Sequence, residues 1–401
     1  MPILFAVVLT DLIGFGIVIP LLPFYGMHFG ASPLVVTLLM STYSLFQLFV
    51  APLWGGLSDR HGRRPILLVS LAGSVAGYLW LGFADTLWML FAARAVQGAC
   101  AGNIAAAQAY VADVTTPENR AKGMGMIGAA FGIGFIIGPA LGGTLAGSDP
   151  VSPDIVSPAF LGAALSALAF IGTLAFLKES LPEAARGALR TGRLAAGSRA
   201  LRLPALRLLL LLFFAIVFAF AGMETTFALW ASAQFGWGAL QVGYLMTYVG
   251  ICSALVQGGL IGRLTRMFGE ERLLLAGTAT IAVGLLAIPL SSTLLILVVA
   301  TGLLAIGMGM TQPAINSLIS RRAGASEQGE VMGVAQSFGS LARILGPAFA
   351  GALFGGFGRN APYYAGAALM ALVLATAFRL LPRGAPSLAS DAPHGMHERK
   401  R

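Results

Sequence analysis

Two charged residues stand inside long apolar stretches of the sequence, Asp11 near its start and Arg94 in a later run. An ionised side chain in a hydrocarbon environment is expensive unless it meets water or an opposite charge. A carboxylate in such a place can bind and release a proton, and a nearby guanidinium stabilises its charged form. The two residues therefore predict proton chemistry in an apolar interior, although Arg94 could instead serve the structure alone by donating to backbone carbonyls.

Further polar side chains interrupt other apolar runs. Such residues either line a wet cavity or hydrogen-bond neighbouring helices, and the sequence leaves both roles open. Glu224 and Arg343 are a second possible pair of opposite charges, with a purely structural ion pair as the alternative. The candidate cavity residues are Gln47, Asn103, Gln108, Glu224, Gln257, Gln312, Asn316, Gln336 and Arg343.

A third group of charges lies in a short polar segment, Gly55-x3-Asp59-Arg60-x-Gly62-Arg63-Arg64-Pro65, between two apolar runs. Its glycines allow a tight turn, its aspartate is an anion at the edge of an apolar run, and its arginines resist entry into lipid. Asp113 closes another apolar run on the same predicted side. The group therefore predicts a cluster of charges at a membrane boundary.

Glycines recur at helical spacing in Gly125-x8-Gly134-x3-Gly138-Pro139-x2-Gly142-Gly143. Glycines at positions i, i+4 and i+8 leave a groove on one face of a helix, which lets a neighbouring helix approach closely. The proline frees a backbone carbonyl and can bend the helix. This pattern predicts a tight helix contact, whatever else the contact does.

The composition places these groups in a membrane. Hydrophobic residues make up 57% of the 401 residues and charged residues 10%, against roughly 25% charged in an average soluble domain. The net charge of +9 does not indicate nucleic-acid binding, because membrane proteins concentrate Lys and Arg in cytoplasmic loops. An ordinary soluble enzyme is excluded, and a membrane-embedded enzyme would need a clustered nucleophile, metal or cofactor motif that the sequence lacks.

Cysteine and histidine give no sign of a metal or cofactor site. Cys100 and Cys252 both lie in apolar runs, and the four histidines are scattered along the chain. The sequence predicts no cofactor. The first apolar run lacks a basic leader and a small-residue cleavage site, so it is predicted to be a retained membrane span.

Apolar stretches long enough to cross a hydrocarbon core of about 30 Å, which takes roughly 20 helical residues, recur along the chain. They predict an all-α membrane protein with twelve transmembrane helices. The predicted spans are 3–27, 33–57, 66–84, 86–112, 121–147, 157–178, 206–233, 238–262, 272–291, 293–318, 328–355 and 361–381.

The distribution of basic residues sets the orientation. With twelve spans and the N-terminus inside, 22 of the 25 Lys and Arg residues fall in inner segments, as the positive-inside rule requires. Arg359 lies in an outer loop, and Arg94 and Arg343 lie within spans. Both termini are therefore predicted to be cytoplasmic.

The chain divides into two similar halves. Residues 1–178 are predicted to form one six-helix bundle, 179–205 a cytoplasmic linker, 206–381 a second six-helix bundle and 382–401 a cytoplasmic tail. The segment beginning at Gly55 is echoed 203 residues later at Gly258, and Gly138-Pro139-Ala140 is echoed by Gly346-Pro347-Ala348. Two echoes at nearly one offset indicate parallel repeats, with a solute pathway between them.

Depth in the membrane relates the two buried charges. Asp11 lies about eight residues from the inner end of its span and Arg94 about eight from the outer end of its own. At 1.5 Å per residue, each is roughly 12 Å deep from opposite sides of a core of about 30 Å. The two side chains are therefore predicted to lie near the same level.

These motifs together resemble the major facilitator superfamily. The charged segment is similar to its signature loop, Arg94-x2-Gln97-Gly98 to its span-four motif associated with proton coupling, and the glycine pattern to the antiporter motif of its drug exporters. Two further segments resemble the drug:proton antiporter group that includes the tetracycline exporters: Thr10-Asp11-x2-Gly14-x-Gly16-x3-Pro20-x2-Pro23 and Ala109-Tyr110-Val111-Ala112-Asp113. The resemblance covers residues 9–381.

The resemblance implies a major facilitator fold and a monomer in the inner membrane of a bacterium. It implies export of a small amphipathic compound by alternating access, driven by a proton gradient. Asp11 and Arg94 would couple the proton, and the charges Asp59, Arg63 and Asp113 would hold the inner ends of the bundles together in one state, or else only fix the topology.

The chain departs from the tetracycline exporters in its third span, where Gly77 precedes Tyr78 and they carry an acidic residue. It also lacks their acid in span nine and the histidine frequent in span eight. The resemblance therefore implies an amphipathic substrate without identifying it. A facilitator or proton symporter that imports a small metabolite, such as a sugar or organic acid, is the alternative.

Overall fold

The computed structural model describes residues 2–181, 203–323 and 328–380, and every regular element in these ranges is a helix. The helices of the first half are α1 (Pro2–Val18), α2 (Leu22–His28), α3 (Pro33–His61), α4 (Arg63–Gly82), α5 (Leu87–Ala99), α6 (Asn103–Val114), α7 (Pro117–Ala146) and α8 (Val156–Phe176).

The second half repeats this all-helical pattern. Its helices are α9 (Pro204–Phe235), α10 (Ala239–Leu255), a π-helical turn (Val256–Leu260), α11 (Ile261–Phe268), α12 (Glu270–Ala287), α13 (Leu294–Arg322), α14 (Gln328–Phe357) and α15 (Ala361–Leu380). Residues 182–202 of the predicted linker lie outside the described residues, and so do residue 381 and the predicted tail 382–401.

Two glycines end helices at matching places in the two halves. Gly62 joins α3 to α4 with φ of 104° and ψ of 168°, and Gly269 joins α11 to α12 with φ of 79° and ψ of 159°. L-residues with a side chain rarely adopt this backbone conformation, so glycine stops one helix and starts the next without a longer loop. The shared geometry, 207 residues apart, supports the repeat that the sequence predicts.

Ten helices in the described residues are long and apolar enough to cross a membrane. The two other predicted spans are helical but differ from the expectation. Residues 86–112 form α5 and α6, which are separated at residues 100–102, and the span at 272–291 is the 18-residue helix α12, which opens with Glu270, Glu271 and Arg272. The twelve-helix count therefore remains a prediction for these two.

The first predicted span is also divided. α1 ends at Val18 and α2 begins at Leu22, and the intervening turn contains Pro20. A proline within a helix removes a hydrogen-bond donor and clashes with the preceding turn, which accounts for the interruption.

Each half packs mainly on itself. In the first half α1 lies against α7 and α8, and α4 against α5 and α8; in the second α9 lies against α14 and α15, and α12 against α13. The halves meet where α7 packs along α10 and α3 along α14. These two helix pairs position the cavities described next.

Candidate functional site

A small polar pocket lies within the first half and contains both predicted buried charges. Its volume is about 20 Å³, which is room for about one water molecule. The helices α1, α3, α4 and α5 and the start of α6 enclose it. The lining residues are Asp11, Phe15, Tyr43, Ser74, Tyr78, Arg94, Gln97, Ala101 and Asn103.

Asp11 is 8% exposed and accepts a hydrogen bond from the Asn103 side-chain amide. Asn103 is the first residue of α6, directly after the interruption at residues 100–102. Two side chains satisfy backbone groups freed there: Trp54 Nε1 donates to Ala99 O at 2.7 Å, and Gly102 N donates to Ser70 Oγ at 3.2 Å. The break in the helix thus turns a polar side chain toward Asp11.

Arg94 is 5% exposed and is held from two sides. Its Nη1 donates to Gln97 Oε1 at 2.8 Å, and its guanidinium carbon lies 4.7 Å from the centre of the Tyr43 ring. An aromatic face attracts a cation, most strongly where water is excluded. Within the described residues, Arg94 Nε and Gln97 Nε2 have no hydrogen-bond partner.

The structure therefore brings Asp11 and Arg94 to one pocket, as the depth argument predicts. They form no ion pair within 4.0 Å among the described residues. The sequence did not indicate Tyr43 or Gln97 as partners, because depth along a helix says nothing about which way its faces turn.

Gly77 explains how the pocket accommodates Gln97. A Cβ atom at Gly77 would collide with the Gln97 side chain, so the two positions share one space. This is the position before Tyr78 at which the chain departs from the tetracycline exporters. A larger residue there would displace Gln97 from Arg94.

A charged cluster joins α3, α4 and α6 at one end of the molecule. Arg63 is buried, with Nη1 2.5 Å from Asp59 Oδ1 and Nε 3.0 Å from Asp113 Oδ2. Its Nη1 also donates to Ser58 Oγ at 3.1 Å, whereas Arg60 is exposed. The predicted residues Asp59, Arg63 and Asp113 thus meet, all within the first half.

Glu179, just after α8, completes this cluster and was not predicted from the sequence. Its carboxylate accepts the backbone N–H of Arg63 at 2.8 Å and of Arg64 at 3.1 Å, the free donors at the start of α4. Partial burial raises the pKa of this carboxyl, but donors from Leu181, Arg63, Arg64 and Ser180 outweigh it and hold the pKa below its usual value. An acid directly after an apolar span was the available signal.

The glycine pattern of α7 is a packing face on two helices. Cβ atoms at Gly134, Gly138 and Gly142 would collide with α1, and one at Gly143 would lie 2.7 Å from Ala239 O of α10. Pro139 lies beside Gly243 of α10 in the same contact. By contrast, a Cβ at Gly125 would meet nothing within 4 Å. Close packing therefore accounts for Gly134, Gly138, Gly142 and Gly143 but not for Gly125, and the antiporter role of the pattern remains a prediction.

A larger cavity of about 310 Å³ lies between the halves, bordered by α7, α9, α10 and α13. Four polar side chains reach it, Glu224, Ser253, Gln257 and Thr301. Gln257 stands in the π-helical turn, a local widening of the helix frequent at functional sites. We call this the central cavity.

The walls of the central cavity are apolar and aromatic. Sequence reasoning missed these residues, because phenylalanine and methionine in an apolar span look like any packing residue. The wall residues include Phe131, Phe135, Phe220, Phe227, Met223, Met246, Leu245, Val249 and Leu304.

Of the nine predicted cavity residues, Glu224 and Gln257 line the central cavity and Asn103 lines the polar pocket. Arg343 on α14 acts electrostatically on Glu224 without lining either space. The remaining five are not among the lining residues of these two cavities. They are Gln47, Gln108, Gln312, Asn316 and Gln336.

The halves are in contact at the end away from the charged cluster. There Leu240 N donates to Gly147 O at 3.0 Å, Thr247 Oγ1 to Ile136 O at 3.0 Å and Ser41 Oγ to Ile344 O at 3.1 Å. We call the end that carries the charged cluster the basic end.

Toward the basic end, four described glycines of the two halves have open space beside them. The space beside Gly128 and Gly132 of α7, and beside Gly258 and Gly259 after α10, is free of neighbours to 4 Å. The central cavity is therefore closed by contact between the halves at one end of the molecule, and the glycines toward the other end leave room beside α7 and after α10.

A family model described as the Major Facilitator Superfamily matches residues 4–347 and 258–399, so the chain belongs to this superfamily. It is a multi-pass membrane transporter rather than an enzyme. The resemblance to this superfamily that the sequence motifs carry is confirmed, and so is the major facilitator fold.

Two relatives and one solved structure illustrate the similarity. The class D tetracycline resistance protein of Salmonella ordonez is 32% identical over 97% of this chain and 99% of its own length. Multidrug resistance protein 2 of Bacillus subtilis (strain 168) is 28% identical over 88% of each chain. The human organic anion transporter MFSD10 (TETRAN) superposes with a TM-score of 0.71 at 26% identity, covering 94% of this chain and 98% of its own.

Proposed function

We propose that this transporter exports small amphipathic compounds in exchange for protons. The central cavity carries the proposal: it lies between the halves, has apolar walls with a few polar groups, and is closed at one end of the molecule. Such a site suits a compound with a large apolar body and a small polar part. Alternating access requires this kind of cavity to open at either end in turn.

Asp11 is the proposed proton carrier. It is a buried acid in a pocket with room for about one water molecule, separate from the central cavity. Arg94 lines the same pocket, and its proposed role is to favour the ionised form of the carboxylate when the proton is released. The proton gradient is the energy source in this proposal, and no cofactor takes part.

The basic end faces the cytoplasm in this proposal, with both termini on that side of a bacterial inner membrane and the protein acting as a monomer. The excess of arginine at that end supports the orientation. In this proposal the cavity opens toward the cytoplasm, where it is placed to receive compounds for export. The printed names of the relatives, tetracycline resistance and multidrug resistance proteins, support export of a drug-like compound.

Inverted membrane vesicles from cells that express the protein test this function. A proton gradient, acid inside, is established and followed with a fluorescent weak base while amphipathic compounds are added one at a time. We expect a transported compound to collapse part of the gradient as it enters the vesicle. Vesicles that carry Asp11→Asn are the matched control.

Two results would contradict the proposal. Uptake of a compound into the vesicle without release of protons would show that transport is not coupled to protons. Compound movement only down its own gradient and toward the basic end would indicate a facilitator that imports a metabolite.

A further inference from the structure

Glu224 is the acidic residue among the described residues that line the central cavity. It lies on α9, eleven residues before the end of that helix at Phe235. A carboxylate inside a membrane span is expensive and is retained where it has a partner or a function. Glu224 is therefore expected to have either a partner in the protein or a role toward a bound compound.

The part of the chain that the structure describes supplies no close partner for this carboxylate. Among the described residues Glu224 has no hydrogen bond and no ion pair within 4.0 Å. Arg343 acts on it through space from α14 but is not one of the cavity residues. The carboxylate thus borders the cavity with its hydrogen-bonding capacity free.

The surroundings of Glu224 suit a cation with an aromatic or aliphatic body. Phe220, Met223 and Phe227 precede and follow it on α9 and line the same cavity. Phe131 and Phe135 line it from α7. Aromatic faces attract cations, and methionine side chains adapt to irregular apolar shapes.

We propose that Glu224 makes the central cavity selective for amphipathic monovalent cations, by pairing with the positive group while the aromatic walls hold the apolar body. This inference rests on the proposed function for the cavity's role as substrate site, and it assigns the substrate charge. Glu224 acts here as a specificity-determining residue. The proton carrier Asp11 is a separate group in a separate pocket, so binding of the cation needs no proton gradient.

Equilibrium binding to the purified protein in detergent tests the proposal. The probes are tetraphenylphosphonium, a lipophilic monovalent cation, and triphenylphosphine oxide, a neutral aromatic compound of similar type. We expect the parent to bind the cation at least tenfold more tightly than the neutral probe. In Glu224→Gln the cation should lose at least tenfold in affinity, while the neutral probe changes less than twofold.

Three further variants complete the design. Glu224→Asp retains the charge and should keep most of the cation affinity, and Asp85→Asn removes an exposed acid in the turn before α5 and should change nothing. Arg343→Gln removes the competing positive charge and should tighten cation binding severalfold. This last variant tests the proposal even if Glu224→Gln fails to fold.

Equal binding of both probes by the parent would overturn the proposal, and so would unchanged cation binding in Glu224→Gln or in Arg343→Gln. None of these outcomes depends on proton flux. Equal binding of the two probes by the parent, with proton-coupled export intact, would therefore reject the role of Glu224 alone. Charge-selective binding by a parent that shows no proton-coupled export would reject the coupling alone.

Discussion

The ring of Phe15 packs edge-on against that of Phe135, with 6.1 Å between their centres. Phe15 lines the polar pocket that holds Asp11, and Phe135 lines the central cavity. The two rings are thus a point of contact between the spaces proposed to hold the proton and the substrate. Phe15 also lies 5.3 Å from the Tyr43 ring, which covers Arg94.

Replacing Phe15 by alanine should raise proton leakage without substrate. Removal of the ring leaves space beside Asp11 that water can fill, so the carboxylate would exchange protons with the cavity at all times. We expect a severalfold faster decay of an imposed proton gradient in proteoliposomes. Phe176→Ala, at an exposed position at the end of α8, is the matched control. A leak equal to that of the parent would show that the ring does not seal the pocket.

Asp11→Asn should reduce substrate-driven proton flux at least tenfold while the protein still folds and inserts. The amide preserves the shape and can still hydrogen-bond Asn103, but it cannot carry a proton. The flux is measured in proteoliposomes, with thermal unfolding in detergent as the check on folding. Asp149→Asn, in an exposed loop, should behave as the parent. Undiminished flux would remove Asp11 from the mechanism.

Arg94→Lys should be nearly as damaging as Asp11→Asn. The guanidinium donates to Gln97 at 2.8 Å and its carbon lies 4.7 Å from the centre of the Tyr43 ring, and an ammonium lacks the planar fork that allows both contacts. We expect about a tenfold loss of transport rate with the protein still folded. A variant with full activity would show that only the charge is used at this position.

The level of Asp11 and Arg94 was predictable because helix rise and membrane thickness fix depth. The direction in which the two side chains point was not predictable, because it depends on how α1, which carries Asp11, and α5, which carries Arg94, are rotated about their axes in the bundle. The sequence also does not predict the break between α5 and α6 at residues 100–102. No proline marks it, and Trp54 and Ser70, which satisfy its backbone, are distant in sequence.

The sequence could not predict which apolar residues form the walls of the central cavity either. Glu224 and Gln257 stood out because a polar residue in an apolar span is unusual, whereas Phe131 and Phe220 did not. The fold itself was predictable, since hydropathy, arginine distribution and motif spacing all agree on it. The choice of which apolar residues face the cavity is made by tertiary packing.

The charged cluster at the basic end predicts a pH dependence of stability. The pKa of Glu179 is lower in the folded protein than its ordinary value of 4.5. Its contribution is therefore present above that value and is lost as the pH falls through the lower, folded pKa. Glu179→Gln should lower stability by about 1 kcal/mol at pH 7, because a net hydrogen bond contributes about this much and solvent partly screens the charge of this partly exposed carboxylate.

Thermal unfolding in detergent, compared between the parent and Glu179→Gln, measures this effect. The difference in melting temperature should persist from pH 7 to pH 5 and shrink as the pH is lowered from 4.5 toward 3. Asp85→Asn should give no such trend. A difference that stays constant over the whole range would mean that the charge of Glu179 is not what stabilises the start of α4.

The contact between α7 and α10 predicts a change of conformation in Gly143→Ala. A Cβ atom there would lie 2.7 Å from Ala239 O and 3.2 Å from the Gly243 Cα, closer than packed atoms approach. Overpacking of this kind costs about 1–3 kcal/mol. The cost falls on the state in which the two helices touch, so the equilibrium should shift toward the state that is open at the end away from the basic end.

A shift of about 1.4 kcal/mol changes the ratio of the two states tenfold. Distances between spin labels at the ends of α7 and α10 report this ratio directly, with labels at both ends of the molecule. Gly125→Ala, on the same helix but with no neighbour within 4 Å, should leave the distances unchanged. If Gly143→Ala also leaves them unchanged, the glycine face of α7 does not decide between the two states, because the helices then absorb an extra methyl group without separating.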